Sequence, residues 1–281
     1  MDRPPAPPGG RRADLHAHTH FSDGALSPEA LVALALEREL AALAITDHDT
    51  VEALGPAREA ARDAIELVPG IELSSALGGL ELHLLGYFLD PAYEPLRERL
   101  VRFRAERMGR AMAIVERLRE LGAPVDPDEV VAAAGPGVIG RPHLADALLK
   151  AGHAETLDDA FRRYLGRHGQ AFIPRPAFHP EEAIALIHSA GGVSVLAHPG
   201  ALVPDGVIEE LAAEGLRGVE VWHPQHNATA VRRFRALAAK RGLIETGGSD
   251  FHAPGRSTNL GDVSVPASVL VRLKEAAGVP E

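Results

Sequence analysis

Residues 14 to 24 read Asp-Leu-His-Ala-His-Thr-His-Phe-Ser-Asp-Gly, and five of these eleven side chains can bind a metal ion. Side chains alternate between the two faces of an extended chain, so a strand over Ala13 to His18 projects His16 and His18 to the same side. Leu15 and Ala17 then point into the packing behind them. One divalent ion can take both imidazoles without distorting the backbone. Ser22-Asp23-Gly24 has the composition of a turn, which brings the Asp23 carboxylate to the same rim. Taken alone, the segment is also readable as a chance patch of histidines.

Further groups of the same chemistry recur along the chain: Thr46-Asp47-His48-Asp49, Glu72, His83, Ala197-His198-Pro199 and Gly248-Ser249-Asp250-Phe251-His252. Each has a structural explanation by itself, as a loop cap, a core histidine or a turn. Their shared position is harder to explain that way, because they fall at or just past the ends of expected strands. The chain has no cysteine, so disulfides and thiolate sites are excluded and any metal must sit on His, Asp and Glu. That donor set suits Mn, Fe, Zn or Mg.

The elements that must carry these residues follow from the local pattern. Ser27-Pro28-Glu29 starts a helix, with Ser as cap and Pro in the first turn. Ala42 to Thr46, Leu67 to Glu72 and Leu80 to Phe88 read as strands, with a helix near Val51 to Ala64 between the first two. This alternation predicts a parallel sheet. From 91 to 169 the pattern turns helical, with helices expected over Tyr93 to Leu121, from Asp126, over Arg141 to Lys150 and over Thr156 to Tyr164. Alternation resumes with a helix at Pro180 to Ala190, strands at Val193 to Ala197 and Gly218 to Trp222, a helix from Thr229 to Lys240 and a strand at Leu243 to Thr246. About seven strands result, with candidate ligands at their C-terminal ends, where βα-barrel enzymes place active sites. The expected organisation is a flexible Pro/Gly-rich tail at 1–12, a barrel built from 13–90 and 170–281, and a helical insertion at 91–169 over the barrel mouth.

At 281 residues the chain can bury a large core, and its 46% hydrophobic and 24% charged content is that of a soluble globular protein. It contains no apolar run fit to span a membrane and no signal peptide, so a cytoplasmic location is the default expectation. A net charge of -10 argues against a protein that coats DNA or RNA through a basic surface. Eight arginines nevertheless lie between Arg97 and Arg119, either as a solvated helix face or as a basic wall beside an anionic substrate.

With these motifs in view, the chain resembles the polymerase and histidinol phosphatase (PHP) family. The matching stretches are D-L-H-A-H-T-H-F-S-D-G at 14–24, T-D-H-D at 46–49, G-I-E at 70–72, His83, A-H-P at 197–199 and G-S-D-F-H at 248–252. The resemblance implies a distorted barrel of seven strand-helix units holding three divalent ions, Mn foremost. One ion would take His16, His18, Glu72 and Asp250. A second would share Glu72 and add His83 and His198, and a third would take Asp23, His48 and His252. The insertion, G-R-P-H at 140–143 and G-V-E-V-W-H-P-Q-H at 218–226 resemble one branch, whose members dephosphorylate nucleoside 3′,5′-bisphosphates or degrade short RNA from the 5′ end.

The expected chemistry is hydrolysis of a phosphate ester by a metal-activated hydroxide, with Glu72 bridging two ions. The expected partner is a small phosphorylated nucleotide or short RNA. Arg141 could fork onto a phosphate, and His143 could bind the same group or protonate the leaving oxygen. His226 is a further candidate for substrate contact. A capped helix start is the structural alternative for Arg141 and His143. Histidinol phosphate or another small phosphomonoester is the alternative substrate, and a metal-bound regulatory domain without catalysis is the alternative role.

Overall fold

The computed structural model describes residues 10–135, 137–176, 178–255 and 258–280. The flexible tail expected at 1–12 lies mostly outside them. Its last residue is an exception, because Arg12 already belongs to the first strand, β1 (Arg12–Asp14). The Arg12 guanidinium donates to the carbonyls of Gly261 and Arg38, both at 3.0 Å, which ties this end down.

The first half of the barrel runs β1, α1 (Pro28–Glu37), β2 (Ala42–Ile45), α2 (Leu54–Ala61), β3 (Glu66–Leu77) and β4 (Leu80–Tyr87). The insertion follows as α3 (Glu94–Glu120), α4 (Pro127–Ala134), α5 (Arg141–Lys150) and α6 (Leu157–Ala160), the last continued by a π-helical turn over Phe161–Leu165. The second half runs α7 (Pro180–Ser189), β5 (Val193–Leu196), α8 (Asp205–Ala213), β6 (Gly218–Trp222), α9 (Ala228–Arg241) and β7 (Ile244–Gly247). A two-residue β8 (Val265–Pro266) and α10 (Val269–Ala277) complete it. Caps fix several starts: Ser27 Oγ accepts from the Ala30 amide at 3.2 Å, and the Asn227 side chain accepts from the amides of Thr229 and Ala230.

The strands form one sheet in the order β7-β6-β5-β4-β3-β2-β1-β8. Its two ends approach each other. The Leu15 amide donates to the Gly247 carbonyl at 3.3 Å, the His18 amide donates to Phe251 at 2.9 Å, and Ala17 and Phe251 form a parallel bridge. Seven strands therefore make a nearly closed barrel, and β8 is an eighth strand flanking β1 in the antiparallel sense. Gly248 permits the closure, since a Cβ there would lie 2.4 Å from the His16 amide nitrogen.

Two details depart from the expected pattern. β1 ends at Asp14, so His16 and His18 sit in the extended segment after the strand, which still sends both rings to one side. β4 is antiparallel to both β3 and β5, not parallel. Only Gly78 and Gly79 separate β3 from β4, both at positive φ; a two-residue link makes a hairpin, whereas a parallel crossover needs a dozen residues or more. The hairpin is long, so β3 and β4 extend past the barrel rim towards the insertion.

The apolar clusters follow this division. Leu15, Val68, Leu85, Tyr87, Val193 and Val195 belong to one packed group, while Leu73, Leu84, Ile187, Val219 and Phe234 join a larger one. The insertion has its own cluster, including Ile114, Leu118, Val130, Leu144, Leu148 and Leu165. Leu96 and Phe103 of α3 instead pack with the barrel, which anchors the insertion to it. Among the described residues, no helix is long and apolar enough to cross a membrane.

Candidate metal centre and an adjoining arginine cluster

All nine candidate ligands converge at the mouth of the barrel around the fully buried carboxylate of Glu72. Glu72 Oε1 lies 2.8 Å from His83 Nδ1 and 2.9 Å from His198 Nε2. Oε2 lies 3.0 Å from His48 Nδ1, 3.2 Å from His16 Nε2 and 3.3 Å from His18 Nε2. Asp250 Oδ1 is 3.2 Å from His18 Nε2 and 3.4 Å from His16 Nε2. Asp23 Oδ1 is 3.3 Å from His252 Nε2, and Asp23 Oδ2 is 3.8 Å from His48 Nε2. Three overlapping sets bring ligand atoms within 4.8 Å of one another: His18, Asp23, His48 and His252; His16, His18 and Glu72; and His48, Glu72 and His83.

Of the five imidazoles facing this carboxylate, only His16 and His198 make hydrogen bonds to it, at 3.2 and 2.9 Å. Asp23 Oδ1, His48 Nδ1 and His83 Nδ1 are buried without a hydrogen-bond partner, an arrangement that costs free energy unless a cation completes it. The donors are imidazole nitrogens and carboxylate oxygens, which fit Mn, Fe, Zn or Mg. The carboxylates are ionised, as ligands must be. Burial pushes the Glu72 carboxyl up, but His48, His83 and His16 outweigh it and hold it well below the usual range. Asp23 is likewise held low, where His252 and His48 outweigh burial. Burial keeps His48 neutral, with its pKa well below that of free imidazole. Metals bind ionised carboxylates and neutral imidazoles, so an ion would have to displace the protons that the surrounding carboxylates favour on His16, His198 and His252.

The backbone strains to present these groups. His198 and Asp250 adopt φ of 24° and 50°, a region that costs a non-glycine residue on the order of 1–3 kcal/mol. Asp47 fixes the first loop by accepting from the Thr19 amide at 2.7 Å and from the Thr19 and Ser22 hydroxyls at 2.6 Å. Gly24 closes that loop, because a Cβ there would meet the His18 carbonyl oxygen at 2.4 Å.

Next to the centre, Arg107, Arg110, Arg141 and Arg175 surround two carboxylates. Arg107 Nε donates to Asp49 Oδ2 at 2.7 Å and Nη2 to Ser74 Oγ at 3.0 Å. Arg175 Nη1 reaches the same Asp49 oxygen at 3.4 Å, while its buried Nε lies 3.9 Å from Glu81 Oε1 and makes no hydrogen bond. Arg141 and Arg110 donate to Glu81 at 2.7 Å and 3.3 Å. Four guanidiniums against two carboxylates leave positive charge in excess. Burial and the neighbouring Arg107 accordingly push Arg175 down to about 9, and burial with Arg141 pushes Arg110 down to about 10.

Residues 14–100 match the model of the PHP domain. The chain is 35% identical over 272 residues to the 5′-3′ exoribonuclease Rnm of Escherichia coli (strain K12), covering 91% of this chain and 90% of that protein. The chain belongs to the PHP family. This PHP protein is also 34% identical over 259 residues to the 3′,5′-nucleoside bisphosphate phosphatase of Chromobacterium violaceum, covering 86% and 87% of the two chains. Its fold superposes with a TM-score of 0.91 on a presumed metal-dependent phosphoesterase from Bifidobacterium adolescentis, 34% identical, covering 98% and 99% of the chains. It is a metal-dependent phosphoester hydrolase.

Within the PHP site, three expectations about substrate contacts change. His226 cannot serve the substrate through its ring, because Nδ1 lies 2.9 Å from the Val221 carbonyl and Nε2 accepts from the Gly200 amide at 3.2 Å. Arg141 is not a free fork, since one arm is held by Glu81 and the other by the Leu165 carbonyl at 3.4 Å. His143 Nδ1 accepts from the Gly140 amide at 3.0 Å, and burial lowers its pKa. It is therefore a neutral Nε2–H donor, not a stored proton.

Several site residues escaped the sequence reading. Glu220 is fully buried; its Oε1 is 3.1 Å from His16 Nδ1 and its Oε2 accepts from the His198 amide at 2.8 Å. His223 Nε2 reaches Asp250 Oδ2 at 3.2 Å. A glutamate alternating with Val219 and Val221 in a buried strand was the available signal for the first. Arg107 was detectable too, four residues from both Phe103 and Ala111 and hence on the apolar face of α3.

Proposed function

We propose that this protein removes the 3′-phosphate from nucleoside 3′,5′-bisphosphates and trims short 5′-phosphorylated RNA from its 5′ end. The observation that carries this reading is a pair of anion stations on the same hairpin. His83, opposite Ser74, faces the metal centre; Glu81, two residues outward on β4, faces the arginine cluster. Two residues of strand span about 7 Å, comparable to the separation of neighbouring phosphates along one nucleic-acid strand. The scissile phosphate takes the first station and the 5′-phosphate the second. The activities named for the Escherichia coli and Chromobacterium violaceum relatives fit such a substrate.

The nine ligands would hold three divalent ions, Mn foremost, with Glu72 between two of them. Such ions make a nucleophile from water at neutral pH and offset charge on the phosphate. The protein's own groups do the rest. Glu220 holds His16 with Nε2 as the free nitrogen. Arg175, whose buried Nε makes no hydrogen bond, grips the outer phosphate together with Arg107, and Glu81 positions Arg110 and Arg141 behind them. His143 donates Nε2–H to the reacting phosphate. Holding both phosphates converts binding energy into alignment of the scissile bond.

The test is a phosphate-release screen on Mn-reconstituted protein with nucleoside 3′,5′-bisphosphates, mononucleotides, histidinol phosphate and short 5′-phosphorylated RNA. Bisphosphates and the RNA are expected to exceed mononucleotides by at least about tenfold in kcat/KM, the value of one modest ionic contact. A preference for histidinol phosphate would overturn the reading.

A further inference from the structure

Beyond the arginine cluster, as seen from the metal ligands, the hairpin continues to its Gly78-Gly79 turn and borders a cavity of about 380 Å³. Ala76, the two glycines and Glu81 form one side; Arg167, Phe172, Pro174, Arg175 and His179 form the other. Arg175 thus faces both the cavity and Asp49. Phe172 lies with its ring centroid 5.7 Å from the Arg110 guanidinium and 6.0 Å from that of Arg141, so the cavity wall is continuous with the cluster. Arg167 is exposed and lies against the turn, its Nη2 3.5 Å from where a Cβ of Gly79 would be, and it pairs with no carboxylate among the described residues. The space is many times the roughly 30 Å³ that one water occupies in the liquid, well beyond the needs of a lone terminal phosphate.

We propose that this cavity accepts a second, anhydride-linked phosphate on the 5′ side of the substrate. The enzyme then also dephosphorylates nucleoside 3′-phosphate 5′-diphosphates and their esters. The inference rests on the two-station reading above. The nucleobase is not the natural occupant, because the ribose that carries it lies between the two stations, on the metal side of the cluster. What lies beyond the 5′-phosphate is whatever is bonded to that phosphate, and here it meets two guanidiniums at a glycine turn that leaves the approach open. Arg175 would contact both 5′-phosphates and Arg167 the outer one. The reaction is unchanged in kind: water adds to the 3′-phosphorus, the P–O3′ bond breaks, the 3′-oxygen leaves with a proton, and the anhydride stays intact. The products are inorganic phosphate and a nucleoside 5′-diphosphate.

The experiment compares adenosine 3′,5′-bisphosphate with adenosine 3′-phosphate 5′-diphosphate on the metal-reconstituted wild type and on Arg167→Glu. For the wild type, kcat/KM for the two substrates should agree within about tenfold, a difference worth no more than 1.4 kcal/mol. Arg167→Glu should lower activity on the diphosphate by at least about tenfold and leave the bisphosphate within twofold, which also certifies that the variant is folded. Inorganic pyrophosphate should inhibit wild type more strongly than inorganic phosphate, and lose that advantage in the variant. Rejection of the diphosphate with good turnover of the bisphosphate overturns the cavity assignment alone, as does an equal effect of Arg167→Glu on both. Failure on both substrates with activity on a simple phosphomonoester instead overturns the two-station reading beneath it.

Discussion

Replacing Glu220 by Gln changes one atom and tests how the centre is held. Both groups facing this side chain are donors: His16 Nδ1–H at 3.1 Å and the His198 amide at 2.8 Å. A carboxylate accepts from both at once. An amide offers one oxygen and one NH2, so one of the two contacts must become donor against donor. If His16 loses its acceptor, the proton can move to Nε2, and the lone pair facing Glu72 and Asp250 disappears. If the His198 amide loses its acceptor, a buried N–H is left unpaired, at a cost of about 1–3 kcal/mol. Partners of this kind typically change metal affinity 10- to 100-fold, equivalent to about 1.4–2.7 kcal/mol. Titrating Mn into the metal-free protein by calorimetry, with thermal unfolding of the metal-free form alongside, measures both effects. Glu220→Gln should weaken binding by at least tenfold. Glu220→Asp keeps two acceptor oxygens but is too short to reach both donors, and should fall between the variant and wild type. Wild-type affinity and stability in Glu220→Gln would refute the argument that this glutamate sets the orientation of His16.

Four further outcomes are expected. Glu72→Gln should abolish phosphate release and lower bound metal while circular dichroism remains native; near-normal kcat with full metal content would exclude a bridging role. Arg175→Ala should lose about 2 kcal/mol, roughly 30-fold, in kcat/KM on a 3′,5′-bisphosphate but far less on a simple aryl phosphate. Arg141→Ala should lose less than Arg175→Ala on the bisphosphate, and the reverse order would return the principal anchor to Arg141. Asp49 links stability to pH: burial raises its pKa, but Arg107 and Arg175 outweigh it and bring the carboxyl from 3.8 to about 2. A carboxyl lowered in the folded state stabilises the fold above the unfolded pKa, and that contribution is lost as pH falls through the folded one. Wild type should therefore exceed Asp49→Asn by about 2 kcal/mol in urea unfolding from pH 5 to 7, with the gap closing between about pH 4 and 2. A gap that stays constant through that interval would mean Asp49 acts by shape and not by charge.

The candidate ligands were legible because hard metal ions restrict the donor types, and because His48 and His198 lie just past short apolar runs that read as strands. The barrel was legible for the same reason. The hairpin was misread where composition outweighed spacing: β3 and β4 look alike in residue type to the parallel strands, and only the two-glycine link between them marks the reversal. Glu220 and the arginine cluster stayed hidden because their meaning depends on partners remote in sequence. Arg107 meets Asp49 58 residues away, and Glu220 meets His16 204 residues away. Among eight similar arginines, the helical register of Arg107 pointed inward, but its carboxylate could be found only once the chain was folded.

The closure of the barrel through Gly248 has a consequence for biosynthesis. His16 and His18 leave the ribosome before Asp250 and His252, with 232 residues separating His18 from Asp250. An unfinished or truncated chain therefore holds only a partial donor set and cannot use the complete centre as a nucleus for folding. Contacts this distant in sequence form slowly. The complete donor set thus comes together only once the whole ring has been assembled.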